Sequence, residues 1–258
     1  GETTYRVGID AGFSCPHRDS ERRYGGCTFC DEYGSRAAYQ RGGIVVAPGA
    51  GLEERIRSVQ RQAKHGIEFL KNRYRTESFI LYFQAFSSTY GPPGELKRIY
   101  DAGLAVHPFR ELVVSTRPDC VDGDVADLLG SYVQRGLPVW VELGLQSARD
   151  ATLKRIHRGH TAADFDRALG ELRRRGIRVA AHVILGLPGE GSDEAMYTVD
   201  YLAAREIDGI KFHDLHIPRN CALLSEYLGG ELALACEARY LGYVVEAIER
   251  LPEHTVIM

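Results

Sequence analysis

Several features that define other classes of protein are missing from this chain of 258 residues. It has no run of about 18 apolar residues, so no membrane span is predicted. Its N-terminus carries no basic segment followed by an apolar one, so no signal peptide is predicted. We therefore expect a soluble, cytoplasmic protein with no membrane partner. The chain opens on Gly1 rather than Met and ends in VIM, which resembles the start of a strand, and this suggests trimming at both ends.

A strong excess of positive charge is also absent, because the formal net charge is −3 at pH 7. The chain as a whole has no general attraction to phosphates, which counts against a protein built mainly to coat nucleic acid. Its content of 44% hydrophobic and 26% charged residues suits one large core. No linker or low-complexity segment interrupts the sequence, so we expect a single domain over residues 1–258.

Three of the six cysteines lie in one loop, at 12–36. Cys15, Cys27 and Cys30 form the pattern C-x11-C-x2-C, and the glycines around them keep the loop free of regular structure. The other cysteines are scattered, which suits a reducing compartment. Sulfurs that converge favour a soft metal or an iron–sulfur cluster. A [4Fe–4S] cluster held by three cysteines leaves one iron open for chemistry, whereas a structural zinc site has four ligands.

Other interpretations of the cysteine loop remain open. Zinc with His17 as the fourth ligand is one, although the chain lacks the second close pair of Cys or His that a zinc finger needs. A disulfide with one leftover thiol is another. Cysteines that belong to a core by chance are a third, but these lie among Arg, Asp, Glu and Gly rather than on an apolar face.

Strand-like and helix-like segments alternate along the chain. Apolar runs that turn polar predict strands at 5–10, 78–83, 110–121, 138–147, 178–191 with its turn, and 207–220, and the last four residues resemble one more. Apolar residues three or four apart predict helices at 51–74, 95–105, 125–136, 161–175, 192–205 and 231–250. This alternation implies right-handed crossovers and a parallel sheet. Because six units are fewer than the eight of a full barrel, we expect an α/β fold, a partial (β/α)6 barrel of TIM type, with its polar segments at the C-terminal rim of the strands.

The sequence resembles the radical S-adenosylmethionine (SAM) superfamily over nearly its whole length. The resemblance rests on a three-cysteine loop after strand one, with GIDAGFSCPHRD and GGCTFC, and on QAFSSTY, STRPDC, ELGLQS and KRIHRGHT. This combination is similar to the YhcC/YtqA-type branch, which is related to the Elongator catalytic subunit. The first cysteine gap is eleven residues here, whereas the commonest family spacing is C-x3-C-x2-C.

The resemblance implies that Cys15, Cys27 and Cys30 bind a [4Fe–4S] cluster whose open iron binds SAM. Reductive cleavage of SAM would give a 5′-deoxyadenosyl radical that abstracts hydrogen from the substrate. A one-electron reductant such as flavodoxin or ferredoxin is the implied partner. The protein itself would position the cofactor and exclude water.

The resemblance also implies SAM contacts near the cluster. Phe29 matches the aromatic residue that packs near the adenine. Gln84, with Ala85, stands where many relatives carry a Gly-Gly-Glu motif for the SAM amino group. Ser115 is placed to approach SAM from strand three, and Glu142 to reach the ribose hydroxyls from strand four.

Further SAM contacts are implied on strands four and five. Gln146 and Arg158 resemble the Gln and Arg that help to hold SAM in the coproporphyrinogen oxidase-like relatives, and a guanidinium suits a carboxylate. His182 stands where those relatives use an acidic residue, and Leu187 lies in ILGLPGE (184–190), a motif whose backbone meets adenine. The alternatives are a helix cap for Gln146, a surface ion pair for Arg158 and a hydrogen-bonded core histidine for His182.

Catalytic candidates follow strand six. His213 and His216, with Asp214 between them, are placed to touch substrate or transfer a proton, or else are hydrogen-bonded rim residues. Cys221 is a candidate hydrogen-atom donor, with an inert buried thiol as the alternative. Cys120, on the loop after strand three, is a candidate of the same kind with the same alternative.

Three interpretations of the function remain open, two of which differ in the substrate. The family branch suggests tRNA modified at the wobble uridine, and a small metabolite is favoured by the net charge and by the lack of an appended RNA-binding domain. A non-catalytic binding module stapled by a metal is the third. Residues that would supply phosphate contacts and stacking on RNA, or would simply form a solvated loop, are Arg22, Arg23, Tyr24, Arg36, Tyr39 and Arg41.

Overall fold

The computed structural model describes residues 3–16, 18, 26–30, 46 and 49–258. In this part of the chain, seven strands alternate with eight α-helices. The strands are β1 Tyr5–Ile9, β2 Phe79–Phe83, β3 Leu112–Thr116, β4 Val139–Gln146, β5 Arg178–Leu185, β6 Gly209–Asp214 and β7 Val256–Ile257. The helices are α1 Leu52–Tyr74, α2 Pro93–Leu104, α3 Gly123–Gln134, α4 Asp150–Arg155, α5 Ala162–Arg173, α6 Ser192–Ala203, α7 Leu223–Leu228 and α8 Glu237–Arg250.

The strands form one sheet in chain order, from β1 to β7. Strand β2 pairs in parallel with β1 and β3, and β6 pairs in parallel with β5 and β7. Parallel neighbours need a crossover connection, and helices supply it along this chain. The predicted parallel sheet with alternating helices is therefore confirmed. The short β7 is the additional strand expected in the last four residues.

The chain divides into two compact units. Unit 1 comprises the ranges 1–15, 33–141 and 171–178, and unit 2 comprises 16–32, 142–170 and 179–258. Unit 1 contains β1 to β3 and α1 to α3. Unit 2 contains β6, β7, α4, α6, α7 and α8, together with most of β4 and β5. The expectation of a single domain stays a prediction.

The central strand of the β1–β3 part of unit 1, β2, is apolar on both faces. Strand β2 reads FILYF, and four of its five residues are buried, as a parallel strand covered by helices requires. Helix α1 buries the predicted face, with Val59 and Ala63 fully enclosed. Gly103 lets α2 pack closely against β2 and α1. A Cβ added at Gly103 would lie 2.9 Å from Leu81 Cδ2 and 3.2 Å from Val59 Cγ1.

Unit 2 has its own apolar cluster around α4 and α7. It consists of buried residues from both helices, from the end of β5 and from the segments that flank α7. Its members are Leu153, Ile156, Ile184, Leu187, Leu215, Cys221, Leu223 and Leu232.

Two short helices were not predicted, and the strand segments predicted at 110–121 and 207–220 extend past the ends of β3 and β6. Helices α4 and α7 have six residues each, too few for a periodic apolar pattern to be recognised. Helix α8 begins at Glu237 rather than near residue 231, because Gly229 and Gly230 follow α7 and Cys236 is extended. Among the described residues, no helix is long and apolar enough to cross a membrane.

Candidate functional site

The start of the cysteine loop is fixed in unit 1 by side chains of α1. Gln62 is completely buried, its Oε1 accepts from the Asp10 backbone N–H at 2.8 Å, and its Nε2 donates to the Asp10 carbonyl at 2.7 Å. Arg55 Nε donates to the carbonyl oxygen of Ala11 at 2.8 Å. Burial lowers the pKa of Arg55, although Glu95 opposes this effect. The chain therefore leaves β1 along a defined path.

Cys15 lies against the loop that follows β2. Its Sγ is 3.2 Å from Ser87 Oγ, and the Ser87 backbone N–H donates to the Ser14 carbonyl at 3.2 Å. The Cys15 side chain is half-buried, while Ser87 is completely buried. Gly12 has a φ of +67°, and an added Cβ there would lie 2.4 Å from Val46 Cγ1. Glycine is therefore required three residues before the first cysteine.

The backbone directly after β2 adopts a conformation that glycine favours. Ala85 and Phe86 have φ angles of 75° and 57°, in the left-handed region that is costly for residues with a Cβ. Gln84 precedes them, is half-buried, and donates its backbone N–H to the Ile9 carbonyl at 3.1 Å. This is the position at which the resemblance aligns a Gly-Gly-Glu motif. Such strain is typical of ligand-binding segments.

Ser115 lies on β3, half-buried, and its carbonyl accepts from the backbone N–H of Ser88 at 3.1 Å. The Ser88 hydroxyl is buried and has no hydrogen-bond partner among the described residues. A buried hydroxyl without a partner costs free energy, and a bound ligand would remove that cost.

Cys120 follows β3 in a short 3-10 helix, Pro118–Cys120. Its thiol is buried, and this burial, with the nearby Asp119, raises its pKa to about 12. A hydrogen bond to Ser87 acts in the opposite direction. A thiol with such a pKa stays protonated at neutral pH, so Cys120 has the character of an inert buried thiol.

Cys27 and Cys30 form a single turn in unit 2. The Cys30 backbone N–H donates to the Cys27 carbonyl at 3.0 Å, and both side chains are half-buried. Thr28 between them is held on two sides: its N–H donates to the Ile156 carbonyl, and its carbonyl accepts from the Leu223 N–H, both at 3.1 Å. The residue that follows α4, Ile156, and the first residue of α7, Leu223, thus hold the turn between them.

Phe29 packs against the apolar cluster of unit 2, which includes Leu187 and Cys221. Leu187 accepts a backbone hydrogen bond from Glu190, in the turn after β5. The Phe29 side chain is half-buried, so part of the ring remains accessible. Cys221 is buried among apolar side chains, which favours the inert alternative for its thiol.

Arg158 is buried beside the cysteine turn. Its Nη1 lies 3.4 Å from Cys27 Sγ, its Nη2 donates to the Gly144 carbonyl at 2.8 Å, and its Nε donates to His160 Nε2 at 3.0 Å. Arg158 and His160 are 7% and 4% exposed. The alternative of a surface ion pair for Arg158 is therefore wrong, since the residue is not at the surface.

Gln146 ends β4 with a φ of 73°, although it is not glycine. Its side chain is buried. A strained conformation at the C-terminal end of a parallel strand is the kind of position that binding sites use. Whether Gln146 contacts SAM stays a prediction.

Glu142, His182 and Lys211 form a polar group in unit 2. Glu142 is completely buried, and its Oε2 lies 2.7 Å from His182 Nε2 and 4.0 Å from Lys211 Nζ. Buried carboxylates need such partners. Glu142 and His182 lie within strands β4 and β5 rather than at their ends, where the polar segments were expected. The ribose contact expected of Glu142 stays a prediction.

His213 stands beside this group on β6, and its ring centroid is 5.1 Å from that of His182. Burial, followed by the charges of His182 and Lys211, lowers the pKa of His213 to about 4. The ring is therefore neutral, and only weakly basic, at physiological pH. His216 is exposed, so the two histidines have different environments.

Part of the expected site lies outside the described residues. This applies to His17, the alternative zinc ligand, and to most of the loop at 12–36. It applies also to all six of the proposed RNA-contacting residues, which are Arg22, Arg23, Tyr24, Arg36, Tyr39 and Arg41.

Comparison with known proteins decides the family. The pattern of the radical SAM superfamily matches residues 15–202. The chain belongs to the radical SAM superfamily. It is 37% identical over 232 residues to the protein YhcC of Escherichia coli K12, covering 90% of this chain and 70% of YhcC. It is 32% identical over 258 residues to the protein YtqA of Bacillus subtilis, covering 100% of this chain and 76% of YtqA. The predicted family branch is confirmed.

A shorter similarity joins this radical SAM protein to a tRNA uridine(34) acetyltransferase of Methanocaldococcus infernus, with 35% identity over 86 residues, which is 33% of this chain and 15% of that protein. Among solved structures, the Elp3 protein of Methanocaldococcus infernus matches with a TM-score of 0.67 at 20% identity, over 78% of this chain. Coproporphyrinogen III oxidase (HemN) of Escherichia coli matches with a TM-score of 0.63 at 16% identity, over 96% of this chain. These likenesses confirm the predicted fold class, a partial α/β barrel. The chain spans 52% and 51% of those two structures.

Membership of this superfamily implies a [4Fe–4S] cluster and SAM, and the donor chemistry of the chain fits them. The six cysteines form no disulfide, and the three of the motif are half-buried. Thr28 Oγ1, inside the cysteine turn, is buried without a partner in the described part of the chain. No group of three or more His, Cys, Asp or Glu side chains among the described residues is arranged to hold a metal ion. The convergence of the three sulfurs on one cluster therefore stays a prediction.

Sequence reasoning missed three residues of this site. Ser87 and His160 lie inside motifs that carried the family resemblance, QAFSSTY and KRIHRGHT, so their position was a usable signal. Lys211 gave no signal, because a lysine on a strand is ordinarily a solvated residue. Its role beside Glu142 depends on the pairing of β5 with β6, which places His182 opposite Lys211.

Proposed function

We propose that this protein is a radical SAM enzyme in which Cys15, Cys27 and Cys30 bind a [4Fe–4S] cluster. The proposal rests on the Cys27–Cys30 turn, in a chain that belongs to the radical SAM superfamily. The turn presents two half-buried cysteines next to a buried arginine, and backbone hydrogen bonds fix it to α4 and α7. A rigid ligand pair lowers the ordering cost of binding a cluster.

When bound, the cluster and SAM supply a 5′-deoxyadenosyl radical by one-electron reduction, with a flavodoxin or ferredoxin as the proposed electron donor. The chain's own residues position SAM and shield it from water. Phe29 offers an accessible ring for the adenine, and the strained segment at Ala85 offers its backbone to the amino acid part. Gln146 and Leu187 are proposed contacts from the ends of β4 and β5.

The structure supports different roles for His213 and Cys221. The pKa of His213 is lowered to about 4, so its ring is neutral but only weakly basic at neutral pH. Cys221 lies among apolar side chains, and its burial supports a packing role rather than hydrogen-atom donation. We therefore propose that His213 contacts the substrate as a neutral hydrogen-bonding group.

For the substrate we propose tRNA, at the wobble uridine. The support is the similarity to a tRNA uridine(34) acetyltransferase over 33% of the chain. The net charge of −3 supplies no general attraction to RNA, so the contact has to be local. The basic and aromatic residues flanking the cysteines, which lie outside the described part of the structure, are the proposed contact.

The test is anaerobic turnover with deuterated RNA. The protein is reconstituted with iron and sulfide, reduced with dithionite, and given SAM with or without unmodified tRNA that has been transcribed in vitro from deuterated nucleotides. We expect tRNA to stimulate 5′-deoxyadenosine formation, and deuterium to appear in that product. Arg22→Ala with Arg23→Ala should reduce the stimulation but leave SAM cleavage without RNA unchanged.

The other substrate class gives a different result in the same assay. Deuterium that reaches 5′-deoxyadenosine only from the low-molecular-weight fraction of cells grown in deuterated medium would contradict the tRNA proposal and favour a small metabolite. A colourless protein that takes up zinc but no iron would contradict the radical enzyme and favour a metal-stapled binding module.

A further inference from the structure

Arg158 contacts the sulfur of a proposed cluster ligand. Its Nη1 lies 3.4 Å from Cys27 Sγ, within the hydrogen-bond range for sulfur. The guanidinium is always protonated, so a thiolate at Cys27 would accept a charge-assisted hydrogen bond. The family resemblance assigned this arginine to SAM, and its contact with the cysteine was not expected.

Two further bonds hold the guanidinium in this orientation. Nη2 donates to the Gly144 carbonyl of β4 at 2.8 Å, and Nε donates to His160 Nε2 at 3.0 Å. The Arg158 backbone N–H also donates to the Leu153 carbonyl at 2.8 Å. The guanidinium is planar, and its Nε and Nη2 are both bonded. Its Nη1 therefore cannot turn away from Cys27 without breaking these bonds.

The bond from Arg158 to His160 requires one tautomer of the imidazole. Arg158 Nε can only donate, so His160 Nε2 accepts from it when the ring proton is on Nδ1, which lies 3.2 Å from the Thr161 carbonyl. His160 Nε2 also lies 3.1 Å from the Gly144 carbonyl, and the other tautomer would donate there instead. The bonds from Arg158 to Gly144 and to Cys27 do not depend on this tautomer.

A buried positive charge at a ligand sulfur affects the energy of an added electron. Hydrogen bonds to the sulfurs and the local charge are established determinants of iron–sulfur reduction potentials. The reduced cluster is more negative than the oxidised one, so a nearby guanidinium stabilises the reduced form more. Burial limits the screening of this effect by water and salt.

We propose that Arg158, held by His160 and Gly144, is a positioning residue that donates to Cys27 and raises the reduction potential of the cluster. The proposal rests on the function proposed above. It assigns Arg158 a role through the cysteine, separate from contact with the SAM carboxylate. It also makes His160, through its hold on Nε, a second contributor to the same potential.

The experiment is a redox titration of the reconstituted protein, followed by the electron paramagnetic resonance signal of the reduced cluster. Arg158→Gln should keep its iron and sulfide and shift the midpoint potential downwards. Arg158→Lys keeps the charge but not the fork, and its potential should lie between those of the wild type and Arg158→Gln. His160→Leu should shift the potential in the same direction. Arg155→Gln is the matched control, because Arg155 is three residues away and pairs with Glu226 at the surface.

The outcomes separate the two proposals. A cluster-loaded Arg158→Gln with the wild-type potential and a weakened SAM affinity overturns this inference, and shows that the arginine binds SAM alone. If Arg158→Gln does not retain a cluster, the midpoint potentials of Arg158→Lys and His160→Leu test the inference instead. Wild-type potentials in both variants would overturn it. A wild-type protein that takes up no cluster contradicts the proposed function itself, and the inference fails with it.

Discussion

The thiols of this protein differ sharply in their surroundings. Cys236 is exposed at the start of α8, whereas Cys120 is buried and its pKa is raised to about 12. Only the thiolate is a good nucleophile. Location in the fold, rather than residue type, therefore sets which cysteine reacts.

We predict that Cys120 resists alkylation in the folded protein. At pH 8 a thiol with a pKa of about 12 is ionised to roughly one part in ten thousand, and its burial blocks the reagent as well. Timed labelling with iodoacetamide, read by mass spectrometry, should modify Cys236 at least about 100 times faster than Cys120, and unfolding in urea should remove most of this difference. Cys120→Ser assigns the slow site. Comparable rates in the folded protein would contradict the burial.

His213 should make stability depend on pH. Its pKa is about 4 in the folded protein and about 6.5 when unfolded, so the unfolded chain binds more protons between these values. Stability contributed by the neutral ring is present above pH 6.5 and is lost as the pH falls towards 4. Between pH 7.5 and pH 5.0 the loss is about 2 kcal/mol.

The measurement for His213 is urea unfolding of the cluster-free protein at both pH values. His213→Gln should lose less stability on acidification than the wild type, by that amount. His216→Gln, which changes an exposed ring, should behave like the wild type. Equal losses in His213→Gln and the wild type would show that His213 does not titrate as described.

At the scale of elements, helix α1 controls where strand β1 ends. Gln62 bonds both backbone groups of Asp10, and Asp10 Oδ1 in turn accepts from the Gly12 N–H at 3.0 Å. The first cysteine of the motif follows three residues after Gly12. A polar residue on the buried face of α1 therefore fixes the start of the cysteine loop.

We predict that Gln62→Leu lowers the free energy of unfolding by about 1–3 kcal/mol, because it removes the two buried hydrogen bonds between the Gln62 side chain and the Asp10 backbone. Chemical denaturation measures the loss. Lys64→Ala, an exposed substitution on the same helix, should change stability by less than about 0.5 kcal/mol. Faster hydrogen exchange at the Asp10 amide should accompany the loss. A stability change as small as that of Lys64→Ala would show that the bonds from Gln62 to Asp10 do not stabilise the fold.

The two shortest helices, α4 and α7, help to position the cysteine turn, as the longest helix, α1, positions the start of the cysteine loop. Ile156, directly after α4, and Leu223, at the start of α7, make the bonds to Thr28 that hold the cysteine turn. Helices of six residues could not stand in isolation, so their stability comes from the apolar cluster beneath them.

At the scale of the molecule, the sequence predicted the alternation of strands and helices and the parallel sheet, because buried parallel strands and amphipathic helices carry distinct apolar patterns. It did not predict α4 or α7, which are too short to show a period. It identified the cysteines and Arg158 from motifs. It could not predict that Arg158 contacts Cys27 or that Glu142 is enclosed with His182, because such contacts arise from packing between distant segments.

The central claim is that three cysteines of this radical SAM protein bind one catalytic cluster. The most direct measurement is iron content together with 5′-deoxyadenosine formation, after anaerobic reconstitution and reduction in the presence of SAM. The wild type and Cys236→Ala should bind about four irons per chain and form the product, whereas Cys15→Ala, Cys27→Ala and Cys30→Ala should each lose both. Cleavage of SAM at the wild-type rate by any one of these three variants would contradict the claim.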